Sequence, residues 1–205
     1  MAEVLDLLDR YGAKATFFVI SSQFEGKEGM VQDVVKVTHL VCCRLAISLD
    51  CTISDSAFLV SQRGHELANH CVEDIKYHNH SEEEFEEALL SCEECIVQYA
   101  GPQRGGVKWF RPPQGRCSSA MQRVLARHRY TIAMCDCFGL DVVCGEPFVS
   151  SYLLKHTRDG SIVLMHMPEK GFREHNLSAI EAVLSGFQAR GIQCVSLSRL
   201  HSIAS

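Results

Sequence analysis

Leucines at helical spacing open the chain, in Ala2-Glu-Val-Leu-Asp-Leu-Leu-Asp-Arg-Tyr-Gly12, and the glycine supplies a stop. Ala15-Thr-Phe-Phe-Val-Ile20 follows, a β-branched and aromatic run that predicts a strand. The pattern then predicts a helix over 28–36 and an amphipathic helix that begins at Ser81 and carries Cys92 and Cys95. Beyond it come a strand over 107–110, a helix over 118–127, strands over 130–135 and 161–165, a helix over 176–188 and a strand over 193–196. Short strands alternating with helices predict an α/β fold with a mostly parallel sheet or barrel, in which the C-terminal ends of the strands carry the site.

One stretch breaks the rhythm. Residues 37–62 are apolar and Cys-rich and lack the charge pattern of their flanks, so they read as an insert, suited to an extra buried strand or a sticky surface loop. The segment starts with Val37, whose codons begin GT, and ends with Gln62, one of whose codons is CAG. Those codons match the borders of an intron, so the segment reads either as a retained intron or as a true insert, and removing it would join Lys36 directly to Arg63. No repeat, low-complexity tract or linker divides the chain, so residues 1–205 read as a single domain around this insert.

The 205 residues are 46% hydrophobic, enough for one sizeable core. A formal charge of −5 provides no basic field of the kind that recruits nucleic acid or anionic lipid. No apolar run approaches the roughly 20 residues of a membrane span, and the first twenty residues lack the order of a signal peptide, so the chain is expected to be soluble, with its compartment open. The eleven cysteines are odd in number and scattered, unlike a secreted disulfide framework, and read as reduced packing residues, Cys92, Cys95, Cys135 and Cys137 among them.

The strongest chemical signal is Gly64-His-Glu-Leu-Ala-Asn-His70-Cys-Val-Glu-Asp74. A helical turn beginning near His70 would put His70 and Asp74 on one face, able to grip one divalent metal. Trp109-Phe-Arg-Pro-Pro-Gln-Gly115 places Arg111 at the end of a strand, before a turn in which proline fixes φ and glycine permits a positive one. Gly160-Ser-Ile-Val-Leu-Met-His166 ends a further strand on a histidine. A separate structural metal site from His70, Asp74 and His78 or His80 is a further reading of the same stretch.

In this order, and with Leu7-Leu-Asp-Arg-Tyr-Gly-Ala-Lys-Ala-Thr-Phe-Phe-Val-Ile20 before them, these pieces resemble the NodB homology domain of carbohydrate esterase family 4, the polysaccharide and chitin-type deacetylases. The resemblance covers nearly the whole chain outside residues 37–62. It implies a distorted (β/α) barrel, here without its first strand, and hydrolysis of the acetamide of N-acetylated sugars by a divalent metal, zinc by family habit. It implies His70 and Asp74 as metal ligands, Arg111 as the residue that orients the base, Asp141 as the fourth-motif aspartate and His166 as the general acid. Pro113, Gln114, Gly115 and Leu164 would touch substrate, with a backbone N–H at Gln114 facing the oxyanion and Leu164 receiving the acetate methyl. Val142 stands where the family carries a tryptophan, which weakens one groove wall.

The family's Asp-Asp pair, which supplies the base and a third ligand, belongs to a strand expected upstream of Met1. The 205 residues contain no Asp-Asp pair, and Asp50, in Ile47-Ser-Leu-Asp, stands in a different order relative to the other motifs. The resemblance therefore predicts an N-acetylated polysaccharide as partner, an incomplete metal site and weak or absent turnover. A non-catalytic carbohydrate-binding relative is the alternative.

Overall fold

The computed structural model describes residues 1–23, 45–48, 59–100 and 107–204. The helix expected over 28–36, most of the insert at 37–62, and Asp50 lie outside them.

The first helix, α1 (Ala2–Arg10), buries Val4, Leu5, Leu7 and Leu8 on one side, as the spacing predicts. It stops where Gly12 takes a φ of 60°, a left-handed conformation that costs glycine nothing, and the N–H of Ala13 returns to the carbonyl of Leu8. Strand β1 (Thr16–Val19) is buried at every position, as expected of a parallel strand covered on both faces. The remaining strands are β2 (Leu45–Ser48), β3 (Glu66–Asn69), β4 (Lys108–Phe110), β5 (Tyr130–Ile132), β6 (Cys137–Phe138), β7 (Val163–Leu164) and β8 (Cys194–Val195). Between them run α2 (Glu82–Ala100), α3 (Ser119–Arg127), α4 (Glu146–His156) and α5 (His175–Ala189), and α6 (Leu197–Ala204) closes the chain. The start of α2 is fixed by a reciprocal capping box: Glu84 N–H donates to the Ser81 hydroxyl at 3.2 Å and Ser81 N–H to the Glu84 carboxylate at 2.8 Å.

The strands form two four-stranded sheets, ordered β1-β3-β4-β5 and β6-β7-β2-β8, and every pairing is parallel. That is the expected α/β architecture. No strand ladder joins the sheets among the described residues, although β2 packs beside β1. Within the insert, 45–48 forms an integral strand: Leu45 and Ala46 pair with β8, and Ile47 and Ser48 with β7.

One core fills the space among α1, α5 and the strands, built on Phe17, Phe18, Val163, Met165, Val183 and Phe187. A second lies under α2 and α3, with Tyr77, Phe85, Leu89, Phe110, Met121 and Val124. Two strands are shorter than the pattern predicts. The run over 130–135 leaves the sheet after Ile132 because the carbonyls of Ala133 and Met134 turn to Arg111 instead of to a neighbouring strand. Likewise 161–165 keeps a ladder only at Val163 and Leu164, and the residues after them bend into the site.

Candidate active site

Four strands deliver the site from their C-terminal ends, where a parallel sheet leaves its loops free to carry function. His70 follows β3, Arg111 follows β4, Phe138 ends β6, and Leu164 ends β7 two residues before His166. They surround a cavity of about 280 Å³, lined also by Asp74, Pro112, Gln114, Gly115, Met134, Cys135 and Val142. The sequence-predicted residues His70, Asp74, Arg111, Gln114, Gly115, Leu164 and His166 thus meet in one place. Pro113 is buried and does not line the cavity, whereas Pro112 does.

The expected helical turn at His70 is not formed: residues 70–76 leave β3 as an irregular bend, with Cys71 at a φ of 64°. Asn69 explains the departure. Its buried amide donates to the carbonyl of Leu89 on α2, while its oxygen accepts from the N–H of Cys71, two residues on. This local side-chain bond competes with helix formation and holds the left-handed residue. His70 and Asp74 still reach the same cavity, by a loop rather than by helical spacing. His78 and His80 do not line it.

His70 is buried, and its Nδ1 lies 2.6 Å from the carbonyl oxygen of Arg111. A carbonyl only accepts, so Nδ1 carries the proton and Nε2 the lone pair. Burial lowers the pKa of His70, against the opposing pull of the Arg111 carbonyl and of Asp74. Burial is the largest of these effects and favours a neutral imidazole. Arg111 is 2% exposed; its Nε donates to Ala133 O at 2.7 Å and its guanidinium lies 4.2 Å from the centre of the Phe18 ring. Desolvation pushes it down to about 9, which leaves it cationic at neutral pH. The following turn holds Gln114 and Gly115 at φ of 55° and 69°, with Gly115 N–H bonded to Pro112 O at 3.0 Å. The Gln114 side chain donates to the carbonyl of Asp74 at 3.3 Å, tying this turn to the His70 loop.

Opposite stands a hydrogen-bonded pair. Asp141, fully buried, accepts from Nδ1 of His166 at 2.6 Å and from the backbone N–H of His166 at 2.5 Å. Asp141 therefore lies behind His166 and fixes its ring and tautomer, as the aspartate of a catalytic triad does. His166 itself faces the cavity, with Phe138 edge-on at 5.7 Å.

Three cavity residues had no sequence signal of their own. Met134 and Cys135 sit in what reads as a strand, and Phe138 in a two-residue strand too short for periodicity to register. Burial pushes the Cys135 thiol up, against the pull of Arg111. Among the described residues no group of three His, Cys, Asp or Glu side chains is placed to hold a metal ion.

Comparison with known proteins follows the same lines. Residues 1–133 match the polysaccharide deacetylase family. A peptidoglycan-N-acetylglucosamine deacetylase of Bacillus cereus is 24% identical over 201 residues, covering 97% of this chain and 80% of that protein. A family 4 acetyl xylan esterase from Clostridium thermocellum, solved with a cobalt ion, superposes with a TM-score of 0.77 at 20% identity over 98% of this chain and 83% of its own. A mutant of a CE4 family pseudoenzyme with restored activity superposes with a TM-score of 0.74 at 16% identity, over 97% of this chain and 61% of that one.

Proposed function

Because the chain belongs to the polysaccharide deacetylase family, we propose that its cavity hydrolyses the acetamide of N-acetylated sugars in a polymer of the peptidoglycan or chitin type. In that reaction water adds to the acetyl carbon, the C–N bond breaks, acetate leaves, and the sugar nitrogen takes up a proton. The observation that carries the reading is His166, aimed into the cavity and held at Nδ1 by a buried carboxylate. Asp141 accepts at Nδ1, so Nε2 is the nitrogen that passes a proton to the leaving amine. Leu164 and Phe138 form an apolar wall suited to a methyl group. Gln114 and Gly115, both at positive φ, line the same space.

The donor chemistry fits a divalent metal in part. His70 offers a neutral imidazole with its outer nitrogen already bonded, the arrangement metal-binding histidines show, and Asp74 offers a carboxylate. These two would hold the ion, zinc or cobalt by donor type, and it would polarise the acetamide carbonyl and acidify water. Arg111 would hold a negative charge, a carboxylate or an oxyanion, near His70 without itself moving a proton.

A second reading rests on the same donor set. Two metal donors, with no third among the described residues, suit a relative that binds N-acetylated sugars without turning them over. Purified chain with zinc or cobalt, given N-acetylglucosamine oligomers and assayed for acetate, separates the two. Metal-dependent release that is lost in His166→Ala and His70→Ala supports hydrolysis. Saturable binding without acetate supports the second reading, and neither binding nor release refutes both.

A further inference from the structure

We propose that Asn176 is a positioning residue, which locks Asp141 and His166 into one rigid unit through a single side-chain amide. This rests on the reading of His166 as the proton donor. The pair needs such a device because no ladder holds it among the described residues. The last β6 to β7 pairing is Phe138 with Leu164, and both Asp141 and His166 lie beyond it, Asp141 directly after Leu140 at a φ of 54°.

Asn176 lies in the first turn of α5 with its side chain fully buried. Its Nδ2 donates to Oδ2 of Asp141 at 3.1 Å and to the backbone carbonyl of His166 at 2.9 Å. One NH₂ group thus spends both hydrogens on the two members of the pair. His166 is then gripped at its N–H and Nδ1 by Asp141 and at its carbonyl by Asn176. The preceding residue adds a further tie, since His175 Nε2 lies 3.2 Å from the Asp141 carbonyl.

The amide can face only one way. Both of its partners are acceptors, so a flipped amide would set oxygen against oxygen. Its Oδ1 is buried with no protein partner among the described residues. A buried amide that leaves its own oxygen unpaired is poorly chosen for stability alone. Nor does it cap the helix: the N-cap is Glu174, with no side-chain cap bond. What the side chain does accomplish is to orient a carboxylate and a histidine.

The test uses the full chain, ¹⁵N-labelled, and follows the Nδ1–H proton of His166 by NMR, with acetate release measured in parallel. Asn176→Leu keeps the branched shape of the side chain and removes both donors. The expected result is at least tenfold faster exchange of that proton with solvent. Asn176→Ser, which keeps one hydroxyl donor, should be intermediate and decides the matter if Asn176→Leu does not fold. Where acetate is released, kcat should fall about tenfold or more with KM nearly unchanged, the range typical of residues that orient a working histidine. Variants that unfold earlier yet leave the His166 signal untouched would reduce Asn176 to a packing residue and overturn the proposal. If the signal responds while the parent chain releases no acetate, the hydrolytic reading fails and the positioning role stands.

Discussion

Replacing Asp141 with Asn tests the logic of the site at its centre. Three donors converge on this carboxylate: His166 N–H and Asn176 Nδ2 on Oδ2, and His166 Nδ1 on Oδ1. In Asp141→Asn the remaining oxygen must stay where two donors meet, so the new NH₂ group faces His166 Nδ1. Nδ1 must then accept, and the neutral ring switches to the Nε2–H tautomer. Each of the three bonds falls from the roughly 1.5–3 kcal/mol of a charged acceptor toward the roughly 0.5–1.5 of a neutral one, about 3 kcal/mol in all. Removing a buried charge returns part of that, which leaves a net loss of about 1–2 kcal/mol. Urea unfolding should show the loss as a lower midpoint at unchanged slope. The ¹⁵N shifts of His166 should exchange their pattern between the two ring nitrogens, and acetate release should drop by orders of magnitude, as with the same exchange behind a triad histidine. A His166 that keeps its Nδ1 proton in the variant, or a stability within about 0.5 kcal/mol of the parent, would refute the reasoning.

Two further outcomes are expected elsewhere in the fold. Glu66 accepts from Thr16 Oγ1 at 2.5 Å, from Ser198 N–H at 3.2 Å and from the Ser198 hydroxyl, and so ties α6 to β1 and β3. Burial pushes its carboxyl above the ordinary 4.5, against the pull of these donors. A folded state that holds the proton more tightly than the unfolded chain is favoured at and below that ordinary value and loses the advantage as pH rises through the folded pKa. Glu66→Gln, which does not titrate, should therefore gain stability relative to the parent between pH 4 and 8, and parallel denaturation curves across that range would contradict this. Deleting residues 37–62 removes β2, which bridges β7 and β8; the expected product has a lower melting temperature or no cooperative transition. A deletion variant as stable as the parent would instead favour the reading of this segment as a retained intron.

The order of elements was legible in the sequence because local rules set it. Leucine spacing and Gly12 define α1, and Ser81 with Glu84 writes its own capping box. The β-branched and aromatic run at 15–20 could be little but a buried strand. Arg111 and His166 were legible for a related reason: each falls just past the end of a predicted strand, and in a parallel sheet those ends converge. His70 was legible only through its motif and its spacing to Asp74, because the strand that precedes it, Glu66–Asn69, is not marked by the pattern.

Contacts between distant segments were decided by the tertiary structure alone. The sequence suggests helical spacing for His70 and Asp74, but a side-chain bond from Asn69 makes a bend there instead. It marks residues 37–62 as foreign, yet Leu45–Ser48 completes the second sheet, because strand pairing depends on edges that only the folded chain presents. Asn176 reads from sequence as an ordinary helix start, and only packing reveals that its amide bridges residues 35 and 10 positions earlier. Periodicity records which face of an element is buried. Hydrogen bonds across 25 to 35 residues, of the kind that join Asp141, His166 and Asn176, leave no period in the chain.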